Sequence, residues 1–352
     1  MSSVEHTALN DRKWPEATGR AVWKRKDIEQ EKPFTLAPVH VAELLALARR
    51  ADIAPEYTPA STLATMLPSL KPLVDEVRDE IANGRGIALV KGFPVAELSD
   101  HQCASGFWAM STLLGRGLAQ SSAGDLVGFV SDRGESRLNN RGYQSRAALA
   151  FHVDLSDVAG LLCVRAAAAG GESLAASSLA IYNEMRVKAP EYLDVLARGF
   201  HWSRNGEHAP SEASYGPRIP VFISVGGVVS CRYNRSMIRR GSEEAGEPLT
   251  PLQERALAFV EETARRPEFH IGQYMAPGDI QFFNNYTVLH SRSDFENATD
   301  PAKARLMLRV WLHIDGMRLL GSNSALMRDG PLVYGLQGRT AEELRAVREA
   351  LR

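Results

Sequence analysis

The chain has 352 residues, of which 44% are hydrophobic and 24% charged, a composition typical of a soluble globular protein with one large or two ordinary domains. Its 41 basic and 42 acidic residues nearly cancel, which argues against a nucleic-acid or membrane partner and favours small molecules. Three scattered cysteines in no C-x-x-C pair argue against disulfides and fit a reducing cytoplasm. The polar start of the sequence and the lack of a long apolar run predict neither export nor membrane insertion.

The first quarter of the chain is predicted to be an arm followed by helices. Residues 1–35 show no sustained period, whereas residues 39–83 carry helical signals. The last of these signals is KPLVDEVRDEIANG, with proline in the first turn, one apolar stripe and Gly84 as a cap. We expect residues 1–84 to form an N-terminal arm and a helical region that pack on the core.

Strand-like runs dominate the chain after this region. GIALVKGFP is predicted to be a buried strand, followed by a helix capped by Asp100, and further strands are predicted in PVFISVGGVVSCRYN, EFHIGQYMAPGDIQFFNN and RLMLRVWLHID. Helices interrupt them over residues 182–197 and after the N-cap Thr250. This order indicates an α+β chain with an antiparallel core flanked by helices. No glycine-rich nucleotide-binding motif supports a doubly wound alternative.

Two H-x-D pairs stand out, His152-x-Asp154 and His313-x-Asp315. In a strand, residues two apart point to the same side, so either pair can direct an imidazole and a carboxylate to one point. A facial triad that binds Fe(II) needs two histidines and one carboxylate. No histidine follows His313, whereas the first pair has His290 available downstream, so the first pair is the stronger candidate.

The second pair ends a strand with two arginines on one face. Alternation in RLMLRVWLHID places Arg305 and Arg309 on one side, with Met307, Trp311 and His313, and the leucines on the other. The leucine face is predicted to be core. The arginines either lie on an exposed sheet, where they aid solubility, or face the inside of a barrel, where guanidinium groups bind carboxylates.

These pieces together resemble the taurine dioxygenase and 2,4-D dioxygenase family of Fe(II)/2-oxoglutarate-dependent oxygenases, the clavaminate synthase-like group. The resemblance rests on the ordered set His152-x-Asp154, GGES at 170–173, GDIQFFNN, His290 and Arg305-x-x-x-Arg309. It implies a double-stranded β-helix, a jelly-roll of the cupin type, over residues 85–315, with helical insertions. Residues 316–352 are then a C-terminal tail with a short helix.

The resemblance also implies roles for site residues. Three side chains correspond to the iron ligands, namely His152, Asp154 and His290. Arg305 and Ser173 correspond to the residues that hold the far carboxylate of 2-oxoglutarate, and Arg309 to one that meets an acidic group of the substrate. The loop between His290 and Arg305 is longer than in founding members of the family, which leaves Arg309 as the alternative holder of 2-oxoglutarate.

The implied activity is oxidation of an unactivated C–H bond, most simply hydroxylation, in a small anionic or amino-acid-like substrate, with Fe(II), 2-oxoglutarate and O2 as cofactors and release of succinate and CO2. The carboxylate ligand argues against halogenation, because related halogenases carry a small residue there. Further candidate substrate residues, each with the plain alternative of a surface polar residue, are Tyr143, Gln144, Tyr233, Asn234 and Arg235.

Two other functions stay open at this point. One is a jelly-roll metal-dependent hydrolase or isomerase that does not use 2-oxoglutarate, since two histidines and a carboxylate also suit zinc. The other is a non-catalytic binding protein on the same scaffold. The pair of arginines argues against the first, and the intact ligand set against the second. The sequence is compatible with a homo-oligomer.

Overall fold

The computed structural model of the protein describes residues 14–50, 58–120, 124–132, 145–206, 208 and 212–320. Within these ranges it has nine α-helices: α1 (Arg25–Ile28), α2 (Pro38–Ala48), α3 (Ala60–Met66), α4 (Lys71–Ala82), α5 (Asp100–Thr112), α6 (Ser178–Lys188), α7 (Pro190–Ala197), α8 (Arg235–Glu244) and α9 (Pro251–Arg265). The predicted C-terminal helix lies outside the described residues.

Helix boundaries follow local chemistry, with two departures from prediction. Thr250 caps α9 as expected, with its hydroxyl accepting from the backbone N–H of Gln253 at 3.3 Å. The cap of α5 is Ser99 and not Asp100, because the Ser99 hydroxyl accepts from the third residue of the helix. The helix predicted over 182–197 is two helices, since Pro190 has no N–H and cannot continue α6.

The described ranges contain seventeen strands: β1 (Phe34–Thr35), β2 (Ile87–Lys91), β3 (Arg116–Leu118), β4 (Val127–Val130), β5 (Leu149–His152), β6 (Val158–Arg165), β7 (Ala169–Gly170), β8 (Ser173–Ser177), β9 (Phe200–Ser203), β10 (Tyr215–Ile219), β11 (Phe222–Val225), β12 (Val228–Cys231), β13 (His270–Gln273), β14 (Ile280–Asn284), β15 (Val288–Arg292), β16 (Phe295–Glu296) and β17 (Leu306–His313).

Two sheets organise the core. The larger has the order β1-β2-β14-β6-β17-β3, with β4 also paired to β17, and the smaller has the order β13-β8-β15-β5. Every pair in both sheets is antiparallel except β1 with β2. The α+β chain with an antiparallel core is therefore confirmed. Helix α4 packs against β2 and β14 of the large sheet, and α5 packs against β6 and β17.

Strand β17 shows the predicted alternation but is buried on both faces. Leu306, Leu308, Val310 and Leu312 belong to the main hydrophobic core. Met307, Arg309 and Trp311 point the other way, into a cavity that Arg305 also lines. Since Arg305 and Arg309 are only 7% and 8% exposed, the alternative of an exposed arginine-bearing sheet is wrong.

The N-terminal arm is tied to the core from residue 14 onward. Trp23 is buried and its indole N–H donates to the carbonyl of Arg85 at 2.9 Å. The Ser177 hydroxyl donates to the carbonyl of Ala21 at 2.6 Å, which attaches the arm to the end of β8. None of the helices in the described part of the chain combines the length and apolar character that crossing a bilayer requires.

Candidate active site

A cavity of about 430 Å³ lies between the two sheets. The small sheet contributes residues of β5, β8 and β15 to its wall, and the large sheet contributes residues of β4, β6 and β17. Residues of the first turn of α8 also line this wall, as do Arg204 and Asn205, which follow β9. A space of this size is typical of sites for small molecules.

Three side chains that suit a metal ion meet in the cavity. His152 on β5 is paired directly across the small sheet with His290 on β15, and their rings are 4.4 Å apart. Asp154 lies two residues after His152, and its Oδ2 is 3.8 Å from His290 Nε2. One donor atom from each of the three lies within 4.8 Å of the others. Ligands that share one ion at about 2.1 Å can be no more than about 4.2 Å apart, so the Asp154 to His290 spacing fits.

Neighbouring groups orient these ligands. The carbonyl of Ala150 lies 2.8 Å from His152 Nδ1, which leaves Nε2 for a metal. The indole N–H of Trp311 donates to Asp154 Oδ2 at 2.9 Å. The side-chain oxygen of Asn285 accepts from the backbone N–H of Asp154 at 3.0 Å, and so braces the loop after β5.

The charge state of the cluster matches what a divalent cation needs. Burial lowers the pKa of His290 to about 3, and the adjacent His152 acts in the same direction, so the imidazole is neutral. Burial opposes ionisation of Asp154, but the Arg309 guanidinium and the hydrogen bond from Trp311 hold the pKa of this carboxyl below its usual value. The buried Nδ1 of His290 has no hydrogen-bond partner among the described residues. The neutral imidazole of His290 and the carboxylate of Asp154 are in the protonation states that binding of a metal ion requires.

A second feature of the cavity is a buried arginine with spare donors. Arg305 precedes β17, and its Nη1 has no hydrogen-bond partner in the described part of the chain. Burial lowers the pKa of Arg305, because the charged group has lost water. Its guanidinium lies 4.8 Å from the centre of the Phe295 ring. A buried cation without an anion is costly, so this end of the cavity is suited to an anionic ligand.

Ser173, at the start of β8, also lines the cavity. Its hydroxyl donates to the side-chain oxygen of Gln281 at 2.7 Å, which leaves the Ser173 oxygen able to accept. The neighbouring Gly171 lies against Arg305, since a Cβ built there would be 3.5 Å from Arg305 Nε. The G-G-E-S segment and Arg305 therefore meet at one part of the wall.

Arg309 is engaged differently from Arg305. Its Nε donates to the side-chain oxygen of Gln120 at 2.7 Å, and its Nη1 is 3.5 Å from Asp154 Oδ1. The guanidinium also lies 4.8 Å from the centre of the Trp311 ring system. Arg309 thus lines the cavity but directs its nitrogens at a candidate metal ligand and an amide, whereas Arg305 keeps a donor without a partner.

The other candidate substrate residues separate into three groups. Asn234 and Arg235 line the cavity, as expected. Tyr233 does not, and its assignment to the substrate is wrong, because its side chain is fully buried and its hydroxyl donates to the carbonyl of Leu257 at 3.0 Å. Tyr143 and Gln144 lie outside the described residues.

Sequence reasoning missed several cavity residues. Arg292 lies two residues after His290 on β15, so the period of the strand could have found it. Burial and the nearby Arg305 lower the pKa of Arg292 to about 10. Its nitrogens donate to three backbone carbonyls, those of Ser145, Ala147 and Ser293. The remaining missed residues of the wall include Gln120, Arg204, Arg240 and Trp311.

The second H-x-D pair lies away from the cavity. His313 Nδ1 is 2.6 Å from Asp157 Oδ2, and His313 Nε2 is 2.8 Å from Asp315 Oδ1. Asp157 is fully buried and also accepts from the hydroxyl of Tyr286 and from the backbone N–H of Ile314. This pair therefore belongs to a buried hydrogen-bond network.

The similarity of the chain to known proteins agrees with the geometry of the site. Residues 50–311 match the family described as "Taurine catabolism dioxygenase TauD, TfdA family". The FR-33289 synthase of Streptomyces rubellomurinus (strain ATCC 31215) is 31% identical over 323 residues, which are 89% of this chain and 95% of that protein.

Two solved structures resemble the fold at low sequence identity. Asparagine oxygenase in complex with Fe(II), 2S,3S-3-hydroxyasparagine and succinate has a TM-score of 0.63 at 15% identity, over 80% of this chain and 93% of that one. The non-heme iron oxygenase OrfP in complex with Fe and alpha-ketoglutaric acid has a TM-score of 0.54 at 17% identity, over 84% of this chain and 98% of that one.

Proposed function

The chain belongs to the TauD/TfdA family of Fe(II)- and 2-oxoglutarate-dependent dioxygenases, and on this premise we propose that it oxidises an unactivated C–H bond of a small anionic substrate. Hydroxylation is the simplest outcome, with conversion of 2-oxoglutarate to succinate and CO2. The observation that carries the proposal is the cluster of His152, Asp154 and His290, which faces the same cavity as the buried Arg305.

In this proposal His152, Asp154 and His290 hold the iron. Two imidazoles and one carboxylate on one side of a ferrous ion leave the other positions open, as non-heme iron oxygenases require. Iron, 2-oxoglutarate and O2 together supply the oxidising power, and the protein contributes position. The retained carboxylate of Asp154 argues against halogenation.

Arg305 and Ser173 hold the far carboxylate of 2-oxoglutarate. The unpartnered Nη1 of Arg305 supports this assignment, because a carboxylate would satisfy a buried cation that otherwise lacks an acceptor. The serine hydroxyl can turn from Gln281 and donate to the same carboxylate. Arg309 is the weaker candidate, since its nitrogens already face Gln120 and Asp154.

Arg309 and Trp311 are assigned to positioning of the metal ligand. Both direct an N–H group at Asp154, one at each carboxylate oxygen, and so keep the group ionised and fixed in one orientation. We also infer that the two sheets are the halves of a double-stranded β-helix. The likeness to asparagine oxygenase and the cavity between the sheets support that description.

The test is an anaerobic titration of the metal-free protein with Fe(II) and then with 2-oxoglutarate. We expect the weak visible charge-transfer band that chelation of a keto acid to ferrous iron produces. A matched titration of the His152→Ala variant serves as control and should give no band. Iron binding without a band in the unaltered protein would contradict the proposal and favour a hydrolase or isomerase.

A further inference from the structure

Arginine dominates the charged residues of the cavity wall. Among the described residues the wall has a single carboxylate, that of Asp154, and six arginines: Arg204, Arg235, Arg240, Arg292, Arg305 and Arg309. Two of them, Arg305 and Arg309, are assigned to 2-oxoglutarate and to Asp154 in the proposed function. Arg292 is occupied by three backbone carbonyls. Three arginines are left: Arg204 follows β9, and Arg235 and Arg240 lie on α8, which packs against β9.

We call this group the mouth cluster and define it as Arg204, Asn205, Asn234, Arg235 and Arg240. Arg240 is exposed, while the other four members are partly buried, so the cluster spans the opening of the cavity. The Arg240 guanidinium donates to the side-chain oxygen of Asn205, which links α8 to the end of β9.

Close packing of α8 on β9 brings the cluster together. Gly241 permits it, because a Cβ at this position would overlap the backbone of Trp202 and Ser203. The helix begins at the cavity, with Asn234 as its N-cap. Its amino end therefore adds a partial positive charge, equivalent to about half an elementary charge, to the same space.

Among the described residues, the ion pairs of the mouth cluster leave part of its positive charge uncompensated. Glu254 accepts from Arg235 at 2.9 Å and from Arg239 at 2.7 Å, so one carboxylate faces two guanidinium groups. The hydrogen-bond partner of Arg240 is the neutral Asn205. Arg204 is paired with Glu212 at 2.7 Å. The Nε atoms of Arg204 and Arg235 are buried and have no hydrogen-bond partner within the described part of the chain.

We propose that the mouth cluster binds a doubly charged tetrahedral oxyanion, a phosphate or phosphonate group, carried by the primary substrate. The inference rests on the proposed function and narrows its substrate class. A phosphate group brings a charge of about −1.5 to −2 and three acceptor oxygens, which matches the unbalanced charge and the donors from three arginines. A carboxylate brings a single charge and two oxygens.

The same wall disfavours a free amino acid as substrate. An α-ammonium group needs an acidic partner when it is removed from water. The only carboxylate on the described part of the wall is Asp154, which the proposed function assigns to iron. The anionic substrate should therefore lack a cationic group near its charged end, and the amino-acid-like alternative loses support.

The experiment compares three probes of equal length, n-propylphosphonate, propanesulfonate and butyrate. Each is titrated anaerobically, by calorimetry, into protein loaded with Fe(II) and 2-oxoglutarate. We expect the phosphonate to bind about tenfold more tightly than butyrate. Arg240→Gln should weaken phosphonate binding about tenfold or more, as loss of a charge-assisted hydrogen-bond donor predicts.

Arg265→Gln is the matched control, because it removes the same charge from an exposed ion pair with Glu261 on α9, and Arg265 does not line the cavity. Its phosphonate affinity should stay within about threefold of the unaltered protein, as expected for an exposed ion pair. Equal losses in both variants, or a phosphonate that binds no better than butyrate, would overturn the inference. A protein that fails to bind 2-oxoglutarate would contradict the proposed function instead. In that case, titration of the phosphonate into the protein without Fe(II) and 2-oxoglutarate would still show whether the mouth cluster binds it.

Discussion

The two H-x-D pairs place the same residue types at the same spacing in different physical settings. His152 and Asp154 lie at and just beyond the end of β5 and face the cavity, where His290 completes a set of metal donors. His313 and Asp315 lie at and beyond the end of β17, where the imidazole is held between two carboxylates. The function of a short polar motif therefore depends on its surroundings.

The hydrogen-bond acceptors around each histidine decide whether its imidazole can bind a metal ion. His152 has its Nδ1 at a backbone carbonyl and its other nitrogen available for a ligand. Both nitrogens of His313 already face carboxylate oxygens, so this imidazole has no free position. One pair is prepared for an ion that the protein must acquire, and the other is saturated by the protein itself.

The largest effect expected is from His152→Ala. Removal of one of three iron ligands should lower turnover to below about one thousandth, because the metal and its bound co-substrate supply the oxidising power. Succinate formed per enzyme is the measurement. The thermal midpoint of the metal-free variant should change little, since the contacts of the His152 ring are one backbone carbonyl and a tilted contact with the His290 ring. Substantial residual turnover would show that the ligand set is wrong.

The next largest effects are expected for Arg309 and Arg305, and the two variants should affect different ligands. Arg309→Leu removes a partner of Asp154 and should weaken Fe(II) affinity about 10- to 100-fold, the usual cost of losing a group that orients a metal ligand. Arg305→Leu should leave iron affinity nearly unchanged and raise the 2-oxoglutarate concentration needed for half-maximal turnover. Titrations of each variant with both ligands measure this, and the reverse ranking would exchange the two roles.

A smaller effect, on stability alone, is expected for the second pair. His313→Ala leaves the buried Asp157 without its imidazole partner and should lower the free energy of unfolding by about 3 kcal/mol. Urea denaturation of the metal-free protein measures this loss. At a temperature where the variant is folded, its turnover should stay within about threefold of the unaltered protein. Abolished turnover in a folded variant would mean that the second pair takes part in the reaction.

The smallest effect is expected for Asp315→Asn. The Asp315 side chain is fully exposed, so water compensates its charge and its contact with His313 adds little. Neither the urea midpoint nor turnover should move beyond experimental error. A clear loss of stability would show that His313 depends on both carboxylates and not on Asp157 alone.

Much of the site was predictable because strands alternate with a period of two. The face of β17 that holds Arg309 and Trp311 follows from the sequence alone, and the same rule applied to β15 would have paired His290 with Arg292. Tyr233 was misjudged because the chain leaves β12 there and turns into α8, which directs the ring into the core. No local period contains that change of direction.

The mouth cluster was not predictable for a different reason. Arg204 and Arg240 are far apart in sequence and meet only because α8 packs on β9 at Gly241. The pairing of β5 with β15 is a contact of the same long-range kind, and it became visible only through the resemblance of the whole motif set to a known family. Local signals specify elements, whereas packing specifies which elements meet.

The late position of β17 in the chain affects folding during synthesis. Among the strands of the described residues, it is the last of the large sheet in chain order. It pairs with β3, β4 and β6, and of these β3 and β4 pair with no other described strand of that sheet. Until a ribosome has synthesised residues 306–313, the apolar β6 therefore has an unpaired edge, which is open to non-native association. Cellular yield of this enzyme should accordingly depend on protection of the nascent chain, and a shortened chain that ends before β17 should aggregate.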